Sequence, residues 1–151
     1  MKISVGSDER SPVTDAVVDK LRRLGHEVTL QGPLKDEVEH WPGVARQVAE
    51  EVASGQAEEG LLFCWTGTGV SIAANKVPGV RAALCLDAET ARGARIWNNA
   101  NLLCMSLRTT SEAVAKEILE AWFSTDYEPN PEDDARLREL AEIEADHLPE
   151  P

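Results

Sequence analysis

Short apolar runs alternate along the chain with longer stretches in which apolar residues recur every three or four positions. Ile3 and Val5 make Lys2 to Gly6 a first strand, running into the polar turn Gly6-Ser7-Asp8-Glu9-Arg10. Val13, Val17, Val18, Leu21 and Leu24 then mark one face of a helix. Ser11 suits its N-cap, Pro12 its first turn and Gly25 its end. Glu27 to Gln31 predicts a second strand, and Gly32 to Trp41 a polar excursion. Pro42 opens a second helix, lined by Val44, Val48 and Val52 and ending at Ser54-Gly55.

Leu61 to Cys64 is a continuous apolar run, the pattern of a parallel strand covered on both faces. Trp65-Thr66-Gly67-Thr68-Gly69 follows, and Val70 to Lys76 resumes helical spacing. Pro78-Gly79 turns the chain into a fourth strand, Ala82 to Leu86. Asp87 caps a helix from about Ala88 to Trp97. The amide-rich turn Asn98-Asn99-Ala100-Asn101 precedes a fifth strand, Leu102 to Leu107, and Ser111 caps a helix to about Phe123. After a Pro-rich break at Tyr127 to Pro131, Asp133 to Glu144 reads as a polar final helix. Strict alternation of strand and helix predicts an α/β fold, a parallel sheet with helices on both faces. Ligands then bind beyond the carboxyl ends of the strands, where Asp8, Cys64 to Gly69, Asp87 and Arg108-Thr109 fall.

Cys64 is the chemical focus of that edge. Gly67 and Gly69 let the backbone turn tightly, and the helix after them points unpaired N–H groups into the turn. A thiol facing that positive end can have a lowered pKa, and can move a proton while the amides hold developing negative charge. The competing reading makes Cys64 a small core residue and gives the glycines only a turn to serve. The Gly-Thr-Gly turn matches neither the dinucleotide nor the Walker phosphate pattern.

Composition narrows the partners. At 151 residues the chain is most simply one domain with a real core. A net charge of −12 and a pI near 4.6 argue against nucleic acid and anionic membrane surfaces. Much of the acidity lies in the last third, as a solvated face and tail. No secretory segment or membrane-spanning run is expected. Three cysteines in strand-like runs predict no disulfide framework and fit a reducing cytoplasm. Without a C-x-x-C or H-x-x-x-H pair, no metal is predicted.

Several segments resemble the ribose-5-phosphate isomerase B / galactose-6-phosphate isomerase family. They are Met1 to Asp8, Leu24-Gly25-His26-Glu27-Val28, Cys64 to Cys85, Asn98 to Asn101, and Ala113, Lys116, Ile118 and Trp122. The resemblance spans residues 1 to about 123. It implies a three-layer Rossmann-like fold with five parallel strands, and a homodimer with sites shared across the interface, with dimers pairing into tetramers left open. It also implies isomerisation of a phosphorylated aldose and ketose with neither metal nor cofactor. Cys64 matches the base that shuttles a proton between the first two sugar carbons, and Thr66 the residue bonding the reacting oxygens. The amides of Gly67, Thr68, Gly69, Val70 and Ser71 match the anion hole. Asp8 matches a carboxylate that orients hydroxyls, Asn98 an amide supplied by the partner subunit, and Arg108 a phosphate-side cation. The resemblance also divides the chain into an isomerase-like unit, residues 1–124, and an acidic extension with an extra helix, residues 125–151, which is part of the same domain or a dimer arm.

The departures are concentrated at the expected site. Glu9 and Trp97 stand where the family usually has histidines, the second of which opens the sugar ring. Asp-Tyr-Pro becomes His40-Trp41-Pro42, and the Gly after the Cys becomes Trp65. The C-terminal Gly-Gly-Arg-His pattern is missing, leaving Arg136 and Arg138 as candidate phosphate cations. With Trp41, Trp65 and Trp97 on the rim, the expectation is a narrowed pocket and a substrate that needs no ring opening, such as a short acyclic sugar phosphate. Arg10 is a candidate replacement charge for phosphate. His40 is either a substitute acid or base or an inert loop residue; His26 is expected at a strand edge and His147 in the tail. The alternative functions are a catalytically silent relative that binds a sugar phosphate or nucleotide, and a thiol redox sensor using Cys64.

Overall fold

The computed structural model describes residues 1–150. Five parallel strands form one sheet: β1 (Lys2–Ser7), β2 (Glu27–Gln31), β3 (Glu59–Cys64), β4 (Ala82–Leu84) and β5 (Leu102–Ser106), in the order β2-β1-β3-β5-β4. Six helices connect and flank them: α1 (Pro12–Arg23), α2 (Trp41–Ala53), α3 (Thr68–Ala74), α4 (Ala88–Asn98), α5 (Glu112–Phe123) and α6 (Pro131–Asp146).

Alternation within β1 and β3 makes the two cores. Ile3, Val5, Leu61 and Phe63 face one side and pack with residues of α1, α4 and α5. Leu62 and Cys64 face the other, with Val44 and Val48 of α2 and Val70 and Ala74 of α3. α2 sits close because Gly6 and Gly60 leave room for it: an added Cβ would meet Val44 and Val48 at 2.6 and 2.8 Å. This is the three-layer Rossmann-like arrangement expected from strand–helix alternation and from the family resemblance.

The differences lie at element ends. The polar excursion contains a 3-10 turn, Gly32–Lys35, and α2 begins one residue early, at Trp41. Pro42 is tolerated there because a first-turn N–H has no partner in the helix anyway. β3 begins at Glu59, buried although charged, because its carboxylate accepts from Trp122 Nε1 at 2.6 Å and pairs with Arg95 at 2.9 Å. β4 stops at Leu84, bordered by β5 on one side only, and Leu86 is exposed. α3 starts at Thr68 rather than Val70, α4 runs one residue further to Asn98, and α6 extends over Pro131–Asp146.

Candidate functional site at the carboxyl edge of the sheet

β1, β3 and β5 end side by side at Ser7, Cys64 and Ser106. The loops leaving β3 and β5 are tied together. Leu107 N donates to the Cys64 carbonyl at 3.0 Å, Arg108 N to the Trp65 carbonyl at 2.9 Å, and Ser106 Oγ to the same carbonyl at 2.9 Å. Arg108 is thereby held beside the β3 turn, with its side chain exposed. Ser106 was not among the candidates read from the sequence; a hydroxyl ending an apolar run before a turn is its only signal.

Gly67 caps α3 with φ 76°, and no side chain caps this helix. An added Cβ would stand 2.5 Å from Leu84 Cδ1 and 3.0 Å from the Met105 backbone. Among the described residues, the amides of Gly67, Thr68, Gly69 and Val70 have no acceptor; that of Ser71 donates to the Gly67 carbonyl at 3.3 Å. The free amides expected of the cradle therefore run from Gly67 to Val70 and stop short of Ser71. Thr66 Oγ1 and Thr68 Oγ1 lie 2.7 Å apart, both residues exposed at its mouth. The ring of Trp41 covers Gly69, where an added Cβ would meet it at 3.0 Å.

Cys64 is the last residue of β3 and is 4 % exposed, its side chain belonging to the apolar cluster beneath α2 and α3. Cys85 and Cys104 are fully buried, and all three cysteines are free thiols. Burial pushes the Cys85 thiol up to about 12, and holds Cys104 well above the ordinary range.

Asp8 lies half-buried at the end of β1, lining a cavity of about 410 Å³ with Asp36, Glu37, Glu39 and His40. Desolvation raises its carboxyl pKa, with the neighbouring Glu9 charge adding to the rise. These acidic walls disfavour a phosphate and suit sugar hydroxyls. Arg10 Nε pairs with Asp15 at 3.0 Å on the exposed side of α1. Glu9 is exposed, its N–H donating to Ser7 Oγ at 3.2 Å. Trp65 stands out from the edge, 60 % exposed.

Three predicted residues lie elsewhere. Strands and helices run in opposite directions, so the end of α4 returns Trp97 and Asn98 to the amino edge of the sheet. Asn98 lines a groove of about 960 Å³ there, with Lys76, Arg81 and residues of α6. Trp97 packs on Gly93 one turn earlier in α4. Arg136 is engaged within α6 by Asp133 at 2.9 Å and by Glu132. His26 stacks against Phe123, with ring centroids 5.0 Å apart. Among the described residues, no group of three or more His, Cys, Asp or Glu side chains is placed to hold a metal ion. No helix among them is long and apolar enough to cross a membrane.

A doubly covered parallel sheet, with a strand-end thiol beside an uncapped glycine-initiated helix, defines an α/β protein built to hold a small ligand at its carboxyl edge. The model of the family described as Ribose/Galactose Isomerase matches residues 3–140, and the chain belongs to that family. It is 35 % identical over 144 residues to galactose-6-phosphate isomerase subunit LacB of Clostridium acetobutylicum, covering 95 % of this chain and 83 % of the relative. A D-erythrulose-4-phosphate isomerase of Pectobacterium atrosepticum is 35 % identical over 136 residues, covering 85 % and 86 %. Among solved structures, Clostridium thermocellum ribose-5-phosphate isomerase B superposes with a TM-score of 0.92 at 36 % identity, covering 98 % of this chain and all of that one.

Proposed function

We propose that this protein is an aldose–ketose isomerase for a small phosphorylated sugar, acting through a cis-enediolate with Cys64 as the proton-shuttling base. The observation that carries the reading is the free amides of Gly67, Thr68, Gly69 and Val70 at the strand tip that holds Cys64. In this scheme the Cys64 thiolate takes the proton from the carbon next to the carbonyl. The electron pair moves into a carbon–carbon double bond, and the carbonyl oxygen gains the charge that the amides stabilise. Thr66 bonds the two reacting oxygens as their proton changes place, and the thiol returns its proton to the former carbonyl carbon. Oxidation of one carbon balances reduction of the other, so the step needs no external electron carrier.

Asp8 orients the sugar hydroxyls, and Arg108 takes the phosphate. Arg108 has no ion pair among the described residues, is exposed, and is not on the wall of the acidic Asp8 cavity. Trp97 and Asn98, at the far edge of their own chain, reach a site in a homodimer, as the partner's contribution. The acidic extension, residues 125–151, is part of the same domain or an arm against that partner, and the enzyme works in the cytoplasm. Trp41 roofing Gly69, and Glu9 and Trp97 in place of imidazoles, favour a short acyclic substrate. One relative's name, D-erythrulose-4-phosphate isomerase, is of that chemical size.

The burial of Cys64 favours a second reading, a sugar-phosphate binder without turnover. Exchange of substrate protons with deuterated water separates the two. The isomerase exchanges a tetrose, pentose or hexose phosphate, and Cys64→Ala loses at least about a hundredfold in rate at unchanged affinity. No exchange with any of these sugars, and equal binding by Cys64→Ala, would establish the binder instead.

A further inference from the structure

The corner that carries Trp97 and Asn98 is gripped from behind by two arginines. Asn99 closes α4 in the left-handed conformation, φ 43°, which turns the chain sharply after Asn98. The next two carbonyls each receive a guanidinium. Arg81 Nε donates to the Asn99 carbonyl at 2.8 Å, and Arg95 Nη1 to the Ala100 carbonyl at 2.6 Å. Asn101 extends the clamp. Its side-chain oxygen accepts from Arg81 N at 2.8 Å, and its amide donates to the Gly79 carbonyl at 3.0 Å.

Arg95 is itself fixed on every side. Its side chain is 11 % exposed, its Nη2 pairs with Glu59 at 2.9 Å, its Nε donates to the Thr125 carbonyl at 3.1 Å, and it lies over the Trp122 ring at 5.1 Å. The turn is thereby anchored to the start of β3 and the end of α5. Trp97 and Asn98, by contrast, remain exposed in front of it. The arrangement is a rigid base under a pair of outward-facing side chains.

We infer that Arg81 and Arg95 are positioning residues for the neighbouring subunit's active site, holding the Trp97–Asn98 corner at the place where it completes that site. The inference rests on the shared-site reading above. It differs from that reading by assigning to two residues that touch no substrate an effect on the other subunit's turnover. An ångström of displacement at a contact that orients substrate costs on the order of a hundredfold in rate.

The test uses full-length protein and subunit mixing. Arg95→Met and Arg81→Met homodimers should lose on the order of a hundredfold in kcat at little-changed KM, on whichever sugar phosphate exchanges fastest. Arg81→Lys keeps a donor for the Asn99 carbonyl and should retain most of the activity. Heterodimers pairing either Met variant with Cys64→Ala, isolated with two affinity tags, contain one site with an intact thiol and an intact corner. They should recover about half the wild-type rate, as one of two symmetric sites does. Loss confined to the altered chain's own fold would not recover in this way. Arg81→Met leaves the buried Glu59–Arg95 pair untouched, so it carries the test if Arg95→Met fails to fold. The inference is overturned if both Met variants keep wild-type kcat. It is also overturned if their heterodimers stay inactive while Asn98→Ala paired with Cys64→Ala recovers. If that last pair stays inactive too, the shared site itself fails, and the inference with it.

Discussion

Gly67 meets two demands that only a glycine can meet together. Its φ of 76° is left-handed, and the space a Cβ would fill is taken by Leu84 and the Met105 backbone. Gly67→Ala should therefore destabilise the fold by about 1–3 kcal/mol and weaken sugar-phosphate binding more than Gly79→Ala, since Gly79 has φ 85° but open space around it. Urea melts and ligand titration of the two variants decide this. The turn itself was readable from Gly-Thr-Gly after an apolar run. The width of the cradle was not, because the Ser71 amide is spent inside the helix. Nor was the partner of Arg10, since an exposed arginine pairs with whichever carboxylate its loop brings near. The cysteines offer a second measurement at this scale. With Cys85 raised to about 12 and Cys104 well above the ordinary range, neither is a thiolate near neutrality. At pH 7.5 the native protein should give at most one fast equivalent with a thiol reagent, and Cys64→Ala none. Three equivalents should appear on unfolding.

Among the elements, β3 shows best where a sequence pattern stops being informative. Leu61 to Cys64 announces a buried strand, but the charge on Glu59 hides its first two residues. Only the tertiary partners explain them: Trp122 and Arg95, from α5 and α4, meet the carboxylate at 2.6 and 2.9 Å. Helix starts were easier to read, because caps are local: Ser11, Asp87 and Ser111 each accept the amide three residues on. The Glu59 network also fixes a pH dependence. Desolvation outweighs the Trp122 hydrogen bond and the Arg95 charge, so the Glu59 pKa is raised above its ordinary 4.5. As pH climbs from 4.5 through the raised value, the unfolded chain releases this proton before the folded one does, so stability falls. Glu59→Gln keeps an acceptor for Trp122 and has no proton to lose. Its stability relative to wild type should rise between pH 4.5 and 7, and thermal melts across that range would show it. A constant difference would mean that the carboxylate is already charged at the acid end.

At the scale of the molecule, the two sheet edges divide the chemistry. The carboxyl edge holds Cys64, the Gly67 turn, Asp8 and Arg108; the amino edge holds Trp97, Asn98 and the groove under α6. Alternation of strand and helix makes the first edge legible from sequence. Nothing in one chain's periodicity says that residues at the second edge belong with it; that expectation came from resemblance and needs a second subunit. The division bears on substrate choice. Among the described residues His40 is the one imidazole on the wall of the Asp8 cavity, whereas His26 packs on Phe123 and His147 lines the groove at the other edge. A ring-forming pentose phosphate needs an acid at its ring oxygen before the enediolate chemistry can begin, and an acyclic tetrose phosphate does not. Removing His40 should therefore leave tetrose phosphate turnover nearly unchanged. Trp97→His restores an imidazole where the partner's corner meets the proposed site, and should raise kcat/KM for the pentose phosphate by about a hundredfold, the usual worth of a placed general acid. Steady-state kinetics on both sugars settle the matter. If Trp97→His gains nothing on the pentose, the bulk of Trp41 and Trp65 at the mouth, rather than a missing proton donor, is what excludes the larger sugar.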